Sequence, residues 1–480
     1  MPYVEQLIGA GIIRDPDPLT RPLKRAAVIN ALTHADTMRA SGPVRATIRT
    51  LLERLGPPQK TEPQYRADFF AGGSAANQNR RDPLHPFGTG YAAYQGGMQL
   101  SATAGPVVLV SDGITDRYLH VDPDYTGSKI KQPPGRFSES YISLQGKYGE
   151  VFLGALQRNW GPTGIDGFLT SSYAYSYDHL MIRAGTDAVR VEVLTTQLDD
   201  MTDSTGALIH RYWASTRLVL QPWKWFTATI DNAVLWYGPD RSFELRWINP
   251  LKLAFITSTD EQAVENQNSL VAGSGRIALP DGVVLQGSVL IDAISSGFLS
   301  GGCCDPFPSR LGATALMDVP VGGGRTFRIW TTAVTGYTYR APEGLDNSIM
   351  LRGIGLGRNF ADNWETGIRC SFIPSPMITV SPEIVYLEQG QGDFRLPTPP
   401  LPVTAPIIFE GTVERTLRFG VLAHAQLGRW LDLDLNAGLH RIGNVNNQFG
   451  VHDTRFLGRI QVRYLFGGAI HTHEPAPASP

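Results

Sequence analysis

The stretch RFLGRIQVRYLF, residues 455–466, decides the fold. One set of alternating positions carries Phe456, Gly458, Ile460, Val462, Tyr464 and Phe466. The other carries Arg455, Leu457, Arg459, Gln461, Arg463 and Leu465. Successive side chains of a strand point to opposite faces, so one face is apolar and aromatic while the other holds three arginines. A soluble sandwich also turns one face to a dry core and the other to water, and alternation alone is compatible with that.

The number and length of such segments separate the two readings. In LDLDLNAGLHRIG, Leu431, Leu433, Leu435, Ala437 and Leu439 oppose Asp432, Asp434, Asn436, Gly438 and His440. In ALIHRYWASTRLVL, Leu208, Tyr212, Ala214, Leu218 and Leu220 oppose Arg211, Trp213, Ser215 and Arg217. In VVLQGSVLIDAI, Val283, Leu285, Val289 and Ile291 oppose Gln286, Ser288 and Asp292. Similar runs lie near 65–77, 89–103, 138–146, 149–158, 187–198, 223–236, 325–339, 350–358, 364–373, 376–388 and 412–427. Roughly 16 to 20 segments of about 9–14 residues result, the length a tilted membrane strand requires, whereas soluble strands average about 5–6. Short turns at Lys147–Gly149, Pro222, 280–282 and 322–324 alternate with longer insertions at 121–136, 295–309 and 390–405. That asymmetry suits a barrel with short periplasmic turns and long external loops. So many long strands without intervening helices leave edges that only closure removes. The expected class is therefore an all-β membrane protein: a large antiparallel transmembrane β-barrel of about 18 strands. Phe456, Ile460, Val462 and Tyr464 then face lipid, and Arg455, Arg459 and Arg463 face a wet lumen.

Composition agrees. Of 480 residues, 42 are Lys or Arg and 44 Asp or Glu, a net charge of −2 that carries no nucleic-acid footprint. Charged residues are 18%, below the roughly 25% of soluble domains, and glycine is enriched at 51 residues. No apolar run approaches the ~20 residues of a membrane helix. The start, MPYVEQLIGAGIIRDPDPL, lacks a secretory pattern, so for an exported chain it is expected to be a processed or displaced start.

Residues 1–56 differ, with apolar residues at helical spacing; Val44, Ile48, Leu51, Leu52 and Leu55 share one stripe. Pro22 and Pro43 suit first turns, and Gly56 before Pro57 and Pro58 is a stop. The expected organisation is a small helical bundle over 1–58, a barrel over 59–468 ending its last strand near Phe466, and a flexible tail over 469–480.

One stretch, GALQRNWGPTGIDGFLTSSYAYSYDHLMIR at 154–183, resembles the signature of the capsule-assembly Wzi family of outer-membrane proteins, whose pattern runs RxWGPG…LxxSxxA. Arg158, Trp160, Gly161, Pro162, Gly164, Leu169, Ser171 and Ala174 carry the match, and Thr163 interrupts the WGPG run. WYGPDRSFELRWINPLKL, reaching Asn249 and Pro250, looks like that family's strand and loop. Residues 268–294 are similar to its NxLxGxD…G…DD segment, with Ser274 or Gly275 in place of the first Asp and Ala293 in place of the last. The head from Leu7 to Leu32 looks like its N-terminal helices. The resemblance implies an 18-stranded barrel with a helical bundle at its periplasmic end. It also implies a non-enzymatic role in binding surface polysaccharide and organising capsule, in the bacterial outer membrane.

Candidate polysaccharide contacts are Arg158, Trp160, Tyr173, Tyr175, Trp236, Tyr237, Arg241, Arg246 and Trp247. Aromatic rings stack on sugar faces, and arginine bonds a uronate carboxylate bidentately. Each has a structural alternative. Arg158 and Trp160 belong to a tight Gly-Pro corner in which Trp160 plugs the lumen. Tyr173, Tyr175 and Tyr177 share one face if they form a strand, where girdle or lumen packing is available. The 236–247 group suits a solvated loop and girdle. Arg211, Arg217, Arg455, Arg459 and Arg463 form either a basic lining or internal ion pairs with Asp432, Asp434 or Glu414. His471 and His473 in a Pro-rich tail are a weak metal pair. Cys303, Cys304 and Cys370 fit no zinc pattern; a vicinal 303–304 bridge suits an oxidising compartment. No nucleophile elbow, HExxH or nucleotide-binding loop occurs, so neither catalysis nor a cofactor is expected. A chain that closes its own barrel is expected to be a monomer whose partners are outer-membrane lipid and polysaccharide. The competing function is an outer-membrane porin or substrate-specific channel; a barrel enzyme would need a Ser/His/acid set that no motif supplies.

Overall fold

The computed structural model describes residues 2–56, 63–203, 205–252, 266–294, 308–340, 348–397 and 407–470. Eighteen long strands run in chain order. The first nine are β1 (Gln64–Ala76), β2 (Tyr91–Ala104), β3 (Val107–Asp116), β4 (Gly135–Gln145), β5 (Gly149–Leu156), β6 (Tyr177–Gly185), β7 (Val189–Gln197), β8 (Leu208–Trp223) and β9 (Phe226–Gly238). The others are β10 (Gln267–Ala278), β11 (Val284–Ala293), β12 (Arg310–Pro320), β13 (Thr326–Val334), β14 (Asn363–Ser375), β15 (Ile378–Gln389), β16 (Glu414–Leu427), β17 (Leu431–Gly443) and β18 (His452–Ile470). Each pairs antiparallel with the next, and β18 returns to β1, with Tyr65 opposite Ile470 and Ala76 opposite Arg459. The sheet is thus a closed antiparallel barrel. A two-residue strand, Met201–Thr202, pairs with the start of β8.

One end carries turns of two to five residues, such as 105–106, 224–225, 279–283 and 376–377. The other carries the long connections 77–90, 117–134, 157–176, 335–362 and 390–413. Pro222 lies inside β8 beside a register shift, and the turn falls at Lys224 and Trp225.

The facing read from 455–466 holds. Phe456, Ile460 and Tyr464 are 61%, 48% and 51% exposed on the outer wall. Arg463 points inward and bonds Asp432 and Asp434 at 3.1 and 3.2 Å. Near the short turns, Trp223 stacks on Trp225 (5.3 Å) and Trp430 on Tyr464 (6.1 Å). Amphipathic rings of this kind collect where a bilayer meets water. Among the described residues no helix is long and apolar enough to cross a membrane.

Three helices cover the short-turn end: α1 (Pro2–Gly9), α2 (Arg25–Thr33) and α3 (Gly42–Leu55). Pro43 sits in the first turn of α3, whose last turn is closed by Gly56 at φ 69°, with Gly56 N–H bonding Leu52 O at 3.0 Å. Pro22 precedes α2 instead of opening it. Val44 and Ile48 are buried in a cluster with Leu7, Val28 and Leu32, and Leu51, Leu52 and Leu55 pack against it. The helices also hold the turns. Tyr3 Oη donates to Met377 O at 2.7 Å, and Met377 N–H donates to Thr47 Oγ1 at 3.0 Å. Those bonds secure a non-glycine residue at φ 57°.

Four further expectations change. Residues 350–358 are no barrel strand; Met350–Leu351 and Ile354–Gly355 form a small hairpin inside a long loop. Strands β3, β6, β10 and β12 escaped the pattern: Val107–Val110 is a continuous apolar run, inward Leu270 and Ala272 beside outward Gly273 and Gly275 erase the contrast in β10, and Gly312 and Leu316 dilute the polar face of β12. Among Tyr173, Tyr175 and Tyr177, only Tyr177 lies in a strand. The last strand runs past Phe466 because Gly467, Gly468 and Ala469 pair with Asp68, Ala67 and Arg66. Cys370 is a free, half-buried thiol; Cys303, Cys304, His471, His473 and residues 471–480 lie outside the described residues.

This facing predicts unequal costs at adjacent positions. Ile460→Arg places a guanidinium against lipid and is expected to cost about 2–4 kcal/mol if near the bilayer midplane, whereas Gln461→Arg on the lumen side costs much less. Equilibrium folding into lipid vesicles, followed by tryptophan fluorescence, checks this; equal costs would contradict it.

Candidate functional site

The lumen has a packed side and a wet side. On the packed side three long loops fold inward. Trp160, Phe168 and Leu169 of 157–176 meet Tyr339 and Leu356 of 335–362, and Phe394 of 390–413, against wall residues such as Trp213 and Leu235. Gly167 and Gly357 permit the approach: an added Cβ would lie 2.2 Å from Trp160 O and 1.8 Å from Phe168 O respectively. Ser171 Oγ donates to Gly357 O at 2.6 Å, and Tyr339 Oη to Phe168 O at 2.8 Å.

This plug meets the N-terminal segment inside the barrel. Thr20 and Arg21 form a two-residue antiparallel ladder with Trp160 and Asn159, extended by Gly161 N–H to Leu19 O at 3.0 Å. Arg217, buried on the lumen face of β8, locks the junction. It donates to Leu19 O (3.0 Å) and Thr20 Oγ1 (3.1 Å), pairs with Asp231 (2.9 Å) and lies 5.3 Å from the centre of the Trp160 ring. Asp17 pairs with Arg183 at 3.1 Å and also with Arg190. Thr163, which interrupts the signature, is absorbed: its N–H bonds Gln286 Oε1 (3.0 Å) and its carbonyl accepts from Arg328 (2.9 Å).

Opposite the plug, along β1–β4 and β16–β18, lies a cavity of about 1000 Å³. Tyr118, Leu119 and Tyr175 bound it toward the long loops; Arg54, Arg429 and Trp430 bound it toward the short turns. Tyr175 donates to Asp122 and carries two guanidinium groups on its ring, Arg81 at 4.0 Å and Arg136 at 4.6 Å. Arg459 lies 4.4 Å from the centre of the Tyr118 ring. Burial pushes the Tyr118 phenol up to about 12 and raises that of Tyr175 too, so both stay neutral. A smaller cavity of about 360 Å³ under α1 shares Arg459 and Gln461 with the first. At its wall His424 bonds Asp434 (2.7 Å) and lies 4.0 Å from Asp432. This is the trio among the described residues with metal-ligand spacing, but Arg463 already bridges both carboxylates, which makes it an ion-pair ladder.

The nine candidate contacts do not form one site. Arg158 and Trp160 are 6% and 4% exposed and belong to the plug. Arg158 Nε donates to His179 Nε2 at 2.7 Å, and burial pulls its guanidinium down to about 10, still charged at neutral pH. Tyr175 lines the cavity; Tyr173 stands behind it, bonded to Asp124 at 2.9 Å. Trp236 is five residues from the lumen-facing Asp231, hence on the outer wall, where it packs with Tyr212 and Trp247. Arg241 and Arg246 both pair with Glu244 in the loop laid over that wall. Tyr237 faces inward against the packed side. The sequence reading missed Arg81, Tyr118 and Arg136, which converge from 77–90, 117–134 and β4. Their shared signal is only that they sit on polar faces or in inserted loops.

No family model matches the chain, and no curated protein matches it. Among solved structures, Wzi of Escherichia coli, described as an outer-membrane protein involved in group 1 capsule assembly and a carbohydrate-binding β-barrel, aligns with a TM-score of 0.63 at 12% identity over 97% of each chain. The fold is Wzi-like. Looser likenesses include OprD of Pseudomonas aeruginosa (TM-score 0.44, 12% identity, 84% of this chain and 95% of that one). A BenF-like porin from Pseudomonas fluorescens is similar at TM-score 0.46 and 10% identity, over 85% and 99%.

Two outcomes test the plug. Arg217→Met leaves Asp231 buried without its cation and removes two bonds to the N-terminal segment. It is expected to cost about 3–5 kcal/mol and to raise bilayer conductance; unchanged stability would contradict the lock. The second concerns pH. Burial pushes Asp166 in the plug and Asp362, which accepts the Gly392 and Glu410 N–H groups, from 3.8 up to about 6. Closed loops therefore bind protons that opened loops do not. Closure gains stability as pH falls from about 6 toward 3.8 and loses it as pH rises through about 6. Loop proteolysis, normalised to protease activity, should slow at the acid end of this window, and Asp362→Asn should flatten the dependence.

Proposed function

We propose that the protein is a non-enzymatic outer-membrane β-barrel that binds surface or capsular polysaccharide and helps organise or attach it. The observation that carries this reading is a lumen filled from both ends, by the helices and by the loop plug, with a cavity of arginines and tyrosines left between plug and wall. Such an interior suits holding a ligand better than passing one. Guanidinium groups bond sugar hydroxyls and carboxylates, and tyrosines offer hydroxyls and ring surface. A Wzi-like fold over 97% of the chain supports the same reading, since that relative is described as carbohydrate-binding. In an outer membrane the short turns and helices face the periplasm and the long loops face outside. The barrel closes within one chain, which suits a monomer.

Detergent-purified protein on an array of bacterial surface glycans, beside planar-bilayer conductance, tests the proposal. Binding to at least one extracellular polysaccharide, without steady open-channel current, is expected. Steady current with no glycan bound would hand the function to the porin reading.

A further inference from the structure

We infer that the cavity beneath Tyr118 and Tyr175 is a site for a carboxylate-bearing saccharide, held by Arg136 and Arg459 and entered from the short-turn, periplasmic end, so that it takes capsular saccharide on the periplasmic side before it reaches the surface; this rests on the polysaccharide reading above.

The argument begins with which arginines are spent. In a closed barrel, inward charges are paired across strands, and most of them are here: Arg463 with Asp432 and Asp434, Arg328 with Asp318, Arg369 and Arg418 with Glu383. Arg459 and Arg136 depart from this. Arg459 stands opposite Asn436 on one side and Ala76 on the other; Arg136 stands opposite Ile114. Among the described residues neither has a carboxylate within 4.0 Å or a side-chain hydrogen bond, and Arg459 Nε and Arg136 Nη1 are buried without a partner. What lies against each is a tyrosine face, 4.4 Å away for Arg459 and 4.6 Å for Arg136, while the charges of Asp116 (on both) and Asp112 (on Arg136) act from beyond ion-pair distance. Stacking fixes the plane of a guanidinium while leaving its edge of N–H donors available for a carboxylate, which it grips bidentately.

The rest of the cavity fits a sugar acid. Its lining holds seven arginines against four carboxylates, and one of those, Asp116, already accepts the Tyr118 N–H at 2.8 Å. Gln95, Gln99 and Gln461 supply amides that both donate to and accept from hydroxyls. The volume, about 1000 Å³, is at the upper end of the roughly 300–1,000 Å³ that enclose a small ligand, so a short oligosaccharide fits. At the short-turn end Glu53, Arg429, Trp430 and Gly467 are exposed, whereas Tyr118 and Leu119 at the other end are buried, so the described mouth opens beside α3.

The test uses the full chain in detergent, with oligogalacturonate and a neutral maltooligosaccharide of equal length as probes, and calorimetry as readout. Oligogalacturonate is expected to bind more tightly, with affinity falling as salt rises. Arg136→Gln and Arg459→Gln should each weaken it about tenfold to a hundredfold, the scale of a charge-assisted hydrogen bond, with Arg136→Lys and Arg459→Lys recovering part of the loss. Should a glutamine variant fail to fold, Trp430 at the mouth reports by difference: oligogalacturonate should shield from iodide the part of the tryptophan fluorescence that Trp430→Phe removes, and leave the quenching of the other exposed tryptophans unchanged. Equal binding of the neutral probe, uronate binding indifferent to both substitutions, or inorganic phosphate competing as well as galacturonate would each overturn this inference while leaving the polysaccharide reading standing. Failure of every saccharide, on the array and in calorimetry, would overturn both.

Discussion

In hydrocarbon no water is present to bond a free N–H or C=O, and each unsatisfied group costs several kcal/mol. A sheet can enter that medium only without edges. The ladder from Tyr65–Ile470 to Ala76–Arg459 removes the two that the chain would otherwise leave. Everything else follows from that closure. One face of every strand meets lipid, so Ile460, Val462 and their counterparts are apolar. The other face is enclosed, so its charges must find partners inside the wall or among whatever the lumen admits.

The enclosed face is treated differently on its two sides. Against β7–β11 the loops pack a core around Trp160, Phe168 and Trp213, and the N-terminal segment joins it through Thr20 and Arg21. Against β1–β4 and β16–β18 the wall stays polar and is not covered by the plug. Arg217 matters at the boundary between chain start and plug because it bonds Leu19 and Thr20 of the first and sets its guanidinium against the Trp160 ring of the second, so the helical cap and the loop plug act as one obstruction.

The barrel was legible because period two survives in most strands, and 455–466 alone states which face is which. It failed where small or continuous apolar residues erase the contrast, as in Val107–Val110 and Gly467–Ala469. Membrane strands carry a weaker signal per segment than membrane helices, and those are the positions where it vanishes. The candidate site was far less legible. Trp236 and Tyr237 are neighbours in sequence and lie on opposite sides of the wall. Arg459 was readable as inward, but its lack of a carboxylate depends on register, which sets it against Asn436 while Arg463 meets Asp432. Tyr118 and Arg136 reach the cavity from different insertions, and no local spacing connects them.

The most direct measurement of the central claim places nitroxide labels one at a time at 460, 461, 462 and 463 in protein reconstituted into bilayers, and compares relaxation by oxygen and by a water-soluble nickel chelate. Lipid contact on one face and an aqueous lumen on the other predict a strict alternation, with oxygen dominant at 460 and 462 and the chelate dominant at 461 and 463. Loss of that alternation, or its reversal, would contradict the account.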